Sequence, residues 1–275
     1  MTEKIDISMF VHEKKRAAIM GIVNVTPDSF SDGNDGEKSI DKALRLIDEG
    51  ADIIDIGGES TRPGAVEVSE AEEKERVLGL LVPLKKIRPD VCVSVDTRKS
   101  RCAKVFLDNG ADIINDVSGL VYSPDMAQVA AKYNAKLIIM HSLSAGIADA
   151  AYSYNDVVSE VCSFLQKQKE FAISCGVAES NIIIDPGLGF SKNTDENFEL
   201  IKNIKRLSDI APVLIGHSRK RFIRDFLGIE NVKDSDGATA CLSVFAAASG
   251  CAIIRVHNVK QTVGFLHLAD RLRSS

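Results

Sequence analysis

The stretch Glu49-Gly50-Ala51-Asp52-Ile53-Ile54 returns as Asn109-Gly110-Ala111-Asp112-Ile113-Ile114 and again as Ser249-Gly250-Cys251-Ala252-Ile253-Ile254. Each copy reads as a helix end, a glycine that closes it, and the start of a strand. Outward from these junctions, short aliphatic runs recur at Ala17–Val23, Asp52–Ile56, Val91–Val95, Asp112–Ile114, Lys136–Met140, Asn181–Ile184, Pro212–Ile215 and Cys251–Val256. They do not alternate polar with apolar, as expected of strands covered on both faces in a parallel sheet. Helix-like stretches separate them, at Asp41–Glu49, Glu70–Ile87, Ser100–Asn109, Asp156–Cys175 and Glu196–Leu207. The pattern predicts an α/β fold, a (β/α)8 TIM barrel filling residues 1–275 as a single domain. Residues 1–16 are expected as an N-terminal extension, a short hairpin capping the barrel. A doubly wound open sheet is the alternative, and its dinucleotide-binding version is weakened because no GxGxxG follows the first strand.

The chain's 275 residues, 45% hydrophobic and 27% charged, suffice for a sizeable core. A formal net charge of −5 gives no reason to expect nucleic acid as a partner. No apolar run approaches the roughly 20 residues of a membrane helix, and Met1–Arg16 is charged throughout without a signal-peptide core. A cytoplasmic location is the expectation. The six cysteines form no CxxC pair and are expected as small, reduced, mostly buried side chains.

Active sites of such barrels lie at the C-terminal ends of the strands. Polar groups gather there: Asn24, then Glu59-Ser60-Thr61-Arg62, Asp96, Asn115, His141, Asp185, Ser218-Arg219-Lys220, and Arg255 with His257. Each has a plain structural explanation. Asp96 or Asp185 would cap the next helix, His141 would be a satisfied histidine beneath a loop, and Arg219 and Lys220 would be solvated charges. Their coincidence at nearly every strand end favours a site. The loop after the first strand, Asn24-Val25-Thr26-Pro27-Asp28-Ser29-Phe30-Ser31-Asp32-Gly33-Asn34, reinforces this, with turn formers and one aromatic ring that has no obvious core to join.

By chemistry, Asp96, Asn115 and Asp185 suit a flat, nitrogen-rich heterocycle with donors on its edge, and Lys220 would donate to a ring carbonyl or nitrogen. Arg255 and His257, with Ser218 nearby, fall where barrels often bind phosphate, and Thr61 and Arg62 would approach from the second loop. Asn24 supplies a single neutral oxygen, a sparse donor set that fits Mg²⁺ shared with substrate phosphates.

Gly21–Gly33 resembles the first signature of dihydropteroate synthases, and Asp55-Ile56-Gly57-Gly58-Glu59-Ser60-Thr61-Arg62-Pro63-Gly64 resembles the second. Further similarity lies in Ser94–Thr97, Ile113–Asp116, Asp185–Phe190, Ser218–Lys220 and Ile254–His257, in family order along almost the whole chain. The resemblance implies a transferase that joins 6-hydroxymethyl-7,8-dihydropterin diphosphate to 4-aminobenzoate with loss of pyrophosphate, and a homodimer. It implies that Asp96, Asn115, Asp185 and Lys220 hold the pterin, that Thr61, Arg62, Arg255 and His257 face the diphosphate, and that Asn24 binds Mg²⁺. Catalytic parts fall to Arg62, Lys220 and Asp32. The aminobenzoate pocket is expected from Phe30, Pro63 and Phe190, with Ser218, Arg219 and Arg221 beside it.

Two positions depart from the family pattern. Arg221 stands where many relatives have serine; it either pairs with the aminobenzoate carboxylate or swings to solvent. Ser191 replaces the glycine or alanine usual after Phe190. Three other readings compete. The pterin domain of corrinoid-dependent methyltransferases shares the barrel but has no diphosphate to hold. A metal-dependent hydrolase using His141, His217 and His257 would need an HxH pair on the first strand, and Ala17–Asn24 has no histidine. An inactive pterin-binding homologue finds no support, since the site residues are present. Gly237–Gly250, small and apolar at helical spacing, either packs against the barrel or forms a helix–helix dimer contact.

Overall fold

The computed structural model describes residues 16–25, 35–60, 67–143 and 152–273. The expected N-terminal hairpin, the loop with Phe30 and Asp32, and Thr61, Arg62 and Pro63 lie outside the described residues.

Among the described residues, eight parallel strands form one sheet in the order β6-β5-β4-β3-β2-β1-β8-β7. They are β1 (Ala18–Asn24), β2 (Ile53–Gly57), β3 (Cys92–Asp96), β4 (Ile113–Asp116), β5 (Lys136–Met140), β6 (Ile182–Asp185), β7 (Leu214–Ile215) and β8 (Ile253–Val256). A bridge between Ile184 and Val213 joins the two edge strands, giving a nearly closed (β/α)8 barrel. The open-sheet alternative is thereby excluded.

The repeated junction shows why it recurs. Gly50, Gly110 and Gly250 adopt φ of 103°, 96° and 92°, outside the range most side chains tolerate. The aspartate two residues on then ties the new strand to its neighbour. Asp52 accepts from the Ile19 N–H (2.9 Å) and takes a two-pronged contact from Arg16 (2.7 and 2.8 Å). Asp112 likewise accepts from the Val93 N–H (2.9 Å) and from Lys85 (2.7 Å). The third junction has Cys251-Ala252 instead, and there Cys251 Sγ lies on the Val213 and Ile253 carbonyls.

Helices cover the outer face: α1 (Asp35–Asp48), α2 (Glu70–Ile87), α3 (Ser100–Asp108), α4 (Met126–Tyr133), α5 (Val157–Ser174), α6 (Thr194–Lys202), α7 (Ile204–Ser208), α8 (Arg221–Leu227), α9 (Asp236–Ala248) and α10 (Val259–Arg273). Helix α2 has the expected bounds. Ser69 caps its N-terminus by accepting from the Glu72 N–H (3.3 Å), acidic residues fill its first turn and Lys85 and Lys86 its last. Its buried stripe Glu73, Arg76, Val77, Leu80, Leu81 and Leu84 has helical spacing. The single helix expected over Glu196–Leu207 is two. Asn203 separates them because its side-chain amide donates to the Glu199 carbonyl (2.8 Å) and competes with the helical ladder. Helices α4, α8 and α10 were not anticipated, α4 and α8 being too short to show a clear period.

Side chains alternate along each strand. Ile19, Val23, Ile54, Ile56, Val93, Val95, Ile139, Ile184 and Ile254 face outward into the main core beneath the helices. Met20, Ile53, Cys92, Ile113, Ile138, Ile183, Leu214 and Ile253 face inward and fill the barrel. Full burial of each such residue contributes about 1.5–3 kcal/mol. That apolar plug raises the barrel floor, so the next inward layer, Asp55, Ser94, Asn115, Asp185 and Arg255, lines a polar cup above it. No helix among the described residues is long and apolar enough to cross a membrane. Cys92, Cys102 and Cys251 are buried and all six thiols are unpaired, but Cys241 is exposed and Cys162 and Cys175 are half-buried, so the cysteines are less uniformly buried than expected.

Candidate active site

The strands run one residue further than their aliphatic runs, so Asn24, Asp96 and Asp185 are final strand residues rather than loop residues. Parallel register then sets them side by side. Asn24 pairs with Gly57, Gly57 with Asp96, and Asp96 with Asn115. Gly57 leaves this row open: a Cβ there would stand 3.3 Å from Asn24 Oδ1 and 3.7 Å from Asp96 Cβ.

Arg255 spans the cup. Its Nε donates to Asp55 Oδ2 (2.6 Å) and its Nη2 to Asp96 Oδ2 (2.8 Å). Burial works against the guanidinium charge, but Asp55 and Asp96 more than restore it. Burial pushes the Asp96 carboxyl up to about 7, with Arg255 pulling it down and Asp55 adding repulsion. Asn115 Nδ2 reaches Asp55 Oδ2 at 3.4 Å. Asp55 lies within the second signature but was given no role from sequence. It is fully buried in the middle of β2, and its Oδ1 and the nearby Ser94 Oγ have no hydrogen-bond partner. A lone acid inside an otherwise apolar strand was the available signal.

Asp185 does not cap the next helix, whose N-cap is Asn193; its Oδ1 accepts instead from the Gly187 N–H in the loop (2.7 Å). Burial raises its carboxyl, opposed by that bond and by Lys220. The Asp185–Phe190 loop is held from below: a Cβ on Gly187 (φ 67°) would lie 2.0 Å from the His141 carbonyl oxygen. Lys192 Nζ braces the same loop through the Gly187 and Phe190 carbonyls (3.1 and 3.0 Å) and meets His141 Nδ1 at 3.0 Å. Burial holds His141 neutral, its pKa lowered to about 3, and its ring packs edge-on against Phe164 at 4.9 Å. His141 is therefore the satisfied histidine beneath a loop. Ser191 sits at φ 51°, left-handed backbone where any Cβ costs energy, which accounts for a glycine at this position but not for an alanine.

Lys220, at the N-terminus of α8, places Nζ 4.2 Å from the Phe190 ring centre. Burial and Arg255 push its ammonium down to about 8, against Asp185 and Asp96. Arg219 is no solvated charge: held at φ 60°, it grips Asp236 with two bonds of 2.7 and 2.8 Å. Asn258 also donates to Asp236 (3.0 Å), so Arg219 fastens the Ser218–Lys220 turn to α9. Arg221 takes the solvent alternative, 84% exposed and paired with Asp225 at 3.1 Å. Ser218 Oγ meets His257 Nδ1 at 3.0 Å. Burial, with Arg219 and Arg255, lowers His257 to about 3, so it offers a neutral imidazole rather than a cation.

No group of three His, Cys, Asp or Glu among the described residues is placed to hold a metal ion. The three histidines of the hydrolase reading are separately engaged, His217 on the Thr239 carbonyl at 2.9 Å. Asn24, exposed at the rim, is a single amide oxygen, and Asp55 and Asp96 are committed to Arg255. This donor set fits a cation that keeps most of its waters and completes its shell with substrate oxygens, as Mg²⁺ does.

A polar cup at the C-terminal mouth of a parallel eight-stranded barrel, with carboxylates, cations and an aromatic wall, defines a barrel enzyme for a small polar heterocycle. The pterin binding enzyme family matches residues 20–257. A dihydropteroate synthase of Streptococcus pyogenes serotype M6 is 44% identical over 271 residues, covering 97% of this chain and 99% of that protein. A Xanthomonas albilineans dihydropteroate synthase solved with 4-aminobenzoic acid superposes with a TM-score of 0.89 at 38% identity, over 94% of each chain. A structure of the enzyme from that organism in complex with 7,8-dihydropteroate gives 0.84 at 33% identity, again over 94% of each chain. The chain belongs to the pterin binding enzyme family and, within it, to the dihydropteroate synthases.

Proposed function

We propose that the chain joins 6-hydroxymethyl-7,8-dihydropterin diphosphate to 4-aminobenzoate, giving 7,8-dihydropteroate and pyrophosphate. The observation that carries this reading is the cup in which Asp96, Asn115, Asp185, Lys220 and Arg255 meet above the apolar barrel floor. Asp185 and Asp96 accept from the pterin's ring N–H and amino groups, Asn115 adds an amide, and Lys220 donates to a ring acceptor. His257 and Ser218 lie next along the rim toward the diphosphate, where Thr61 and Arg62 are expected to contribute. Phe190 forms one wall of the aminobenzoate pocket, with Phe30, Pro63 and Asp32 expected from the loops.

The reaction is a substitution at the pterin methylene. The C–O bond to the diphosphate breaks with its electron pair leaving on pyrophosphate, the pterin delocalises the resulting cation, and the arylamine nitrogen forms the new C–N bond. Its surplus proton passes to water or to the released pyrophosphate. Asn24 would hold Mg²⁺, which when bound would supply charge neutralisation for the leaving group. The fixed charges of Arg255 and Lys220 are already oriented, so no reorganisation is needed when charge moves. The stripe Phe265, Leu268 and Leu272 on α10, with Phe245 on α9, is exposed and supports a homodimer through these helices.

The decisive experiment measures pyrophosphate release from the dihydropterin diphosphate with Mg²⁺, with and without 4-aminobenzoate. Aminobenzoate-dependent release with dihydropteroate formed is expected. Pterin binding without release would instead favour the methyltransferase-like or inactive readings. The pH dependence follows from two groups. Capture needs the Asp96 carboxylate, lost as pH falls through about 7, and the Lys220 ammonium, lost as pH rises through about 8. A profile of kcat/KM for the pterin substrate should therefore fall on both sides of a narrow maximum between these values. A flat profile from pH 6 to 9 would remove both groups from substrate capture.

A further inference from the structure

Two residues of the connection between β2 and α2, Glu59 and Val68, are tied to one buried lysine. Lys99, just before α3 and 5% exposed, has three ammonium protons and three acceptors: the Val68 carbonyl (2.6 Å), Glu73 Oε2 (2.8 Å) and Glu59 Oε2 (2.9 Å). Glu59 completes the ring, since its Oε1 accepts from the Val68 N–H (3.2 Å) and from Arg98 (3.3 Å). Glu59 and Val68 flank residues 60–67 in the chain, and here they are bound to each other and to Lys99. Helix α2 backs the knot from behind, with Glu73 fully buried and Arg76 Nη1 donating to the Gly58 carbonyl (2.9 Å). Arg98 also pairs with Glu67 (3.2 Å) and lies 4.4 Å over the Tyr122 ring, whose hydroxyl donates to Glu67 (2.8 Å).

Burial works against the Lys99 charge, but Glu73 and Glu59 more than offset it and raise its pKa. Burying a lysine with two carboxylates is a poor source of net stability, because desolvation cancels much of the attraction. What the cluster secures is geometry. The Lys99 ammonium bonds to no cup residue, and the cluster touches the cup only through the charge of Glu73, which adds to the repulsion on Asp96. It fixes the two residues, Glu59 and Val68, between which Thr61 and Arg62 lie in the chain.

We propose that Lys99 is a positioning residue for turnover, which by tying Glu59 to Val68 fixes the two described ends of the β2–α2 connection, a role that rests on the activity proposed above. The groups proposed to hold the pterin are strand-end residues outside the cluster, so loss of Lys99 is expected to affect the chemical step far more than pterin capture.

The test compares wild type with Lys99→Met, Lys99→Arg and Glu59→Gln for kcat, and for dihydropterin diphosphate affinity measured by calorimetry without aminobenzoate. Wild-type enzyme that forms no dihydropteroate would overturn the proposed activity, whatever the variants do. With wild type active, Lys99→Met is expected to lower kcat by about tenfold or more while pterin affinity stays within about twofold, and Lys99→Arg to restore part of the loss. Should Lys99→Met fail to fold, Glu59→Gln, which keeps an acceptor and the Lys99–Glu73 pair, should show the same split at about threefold. An unchanged kcat in a folded variant, or pterin affinity falling in proportion to kcat, would overturn the positioning role.

Discussion

Asp185→Asn is expected to lower kcat/KM for the dihydropterin diphosphate by roughly 100- to 1000-fold, about 3–4 kcal/mol, with the fold intact. The two carboxylate oxygens have different employment. Oδ1 is occupied by the Gly187 N–H at 2.7 Å, a bond that holds the loop carrying Phe190. Oδ2 borders the space above Gly216, where an added Cβ would lie 3.6 Å away. That oxygen is the one placed to accept from a ligand.

An asparagine keeps its carbonyl oxygen on Gly187, because that buried N–H needs an acceptor. Its NH2 group then takes the place of Oδ2 and meets the pterin's own N–H donors. The site loses a charge-assisted bond and gains a donor–donor clash, and a site built to hydrogen-bond its substrate discriminates steeply against such a mismatch. Steady-state kinetics at saturating 4-aminobenzoate, with a thermal melt alongside, give the readout. A variant that melts like wild type and keeps its kcat/KM would take Asp185 out of the pterin site.

The barrel was legible in the sequence because its cause is local. A glycine at a helix end and aliphatic residues on both faces of a strand write themselves into consecutive residues, and the three junctions repeat them. The strand-end groups were legible for a related reason: after the aliphatic residues Ile182–Ile184, the first polar residue to follow, Asp185, is the one at the mouth. What sequence could not supply was pairing across the barrel. Asp55 and Arg255 are 200 positions apart, and only closure of the sheet brings one onto the other. Arg219 reads as a surface charge because its partner Asp236 lies 17 positions on, at the start of α9, and the choice at Arg221 turns on Asp225, one helical turn away. Glu59 reads as a strand-end group like the rest, but Lys99 and Val68, which claim it, come from later in the chain.

Asp55→Ala is expected to destabilise the fold by about 3 kcal/mol, lowering Tm by about 8 °C, and to cost activity beyond that. Asp55 is fully buried, and its Oδ2 carries both the Arg255 Nε contact at 2.6 Å and the weaker Asn115 contact. Removing the acid leaves Arg255 with Asp96 as its remaining anchor; the loss of Asp55's repulsion favours the Asp96 carboxylate and offsets part of the cost, although burial still opposes its charge. A buried cation stripped of one of two carboxylates retains the desolvation penalty without the compensating attraction, which is why breaking such a pair costs more than the pair itself contributes. Arg255 is 19% exposed at the side chain, so water relieves part of the penalty, and the lower end of the range for buried pairs applies. The guanidinium, held by one arm instead of two, also loses the fixed orientation on which its electrostatic contribution depends. Asp55→Asn separates the two consequences. It keeps the volume and an acceptor for Nε, so most of the lost Tm should return, while kcat/KM for the pterin substrate should stay depressed because the charge that fixes Arg255 is gone. If Asp55→Asn restored both, Asp55 would be a packing and hydrogen-bonding residue alone, and the orientation of Arg255 would have to come from Asp96.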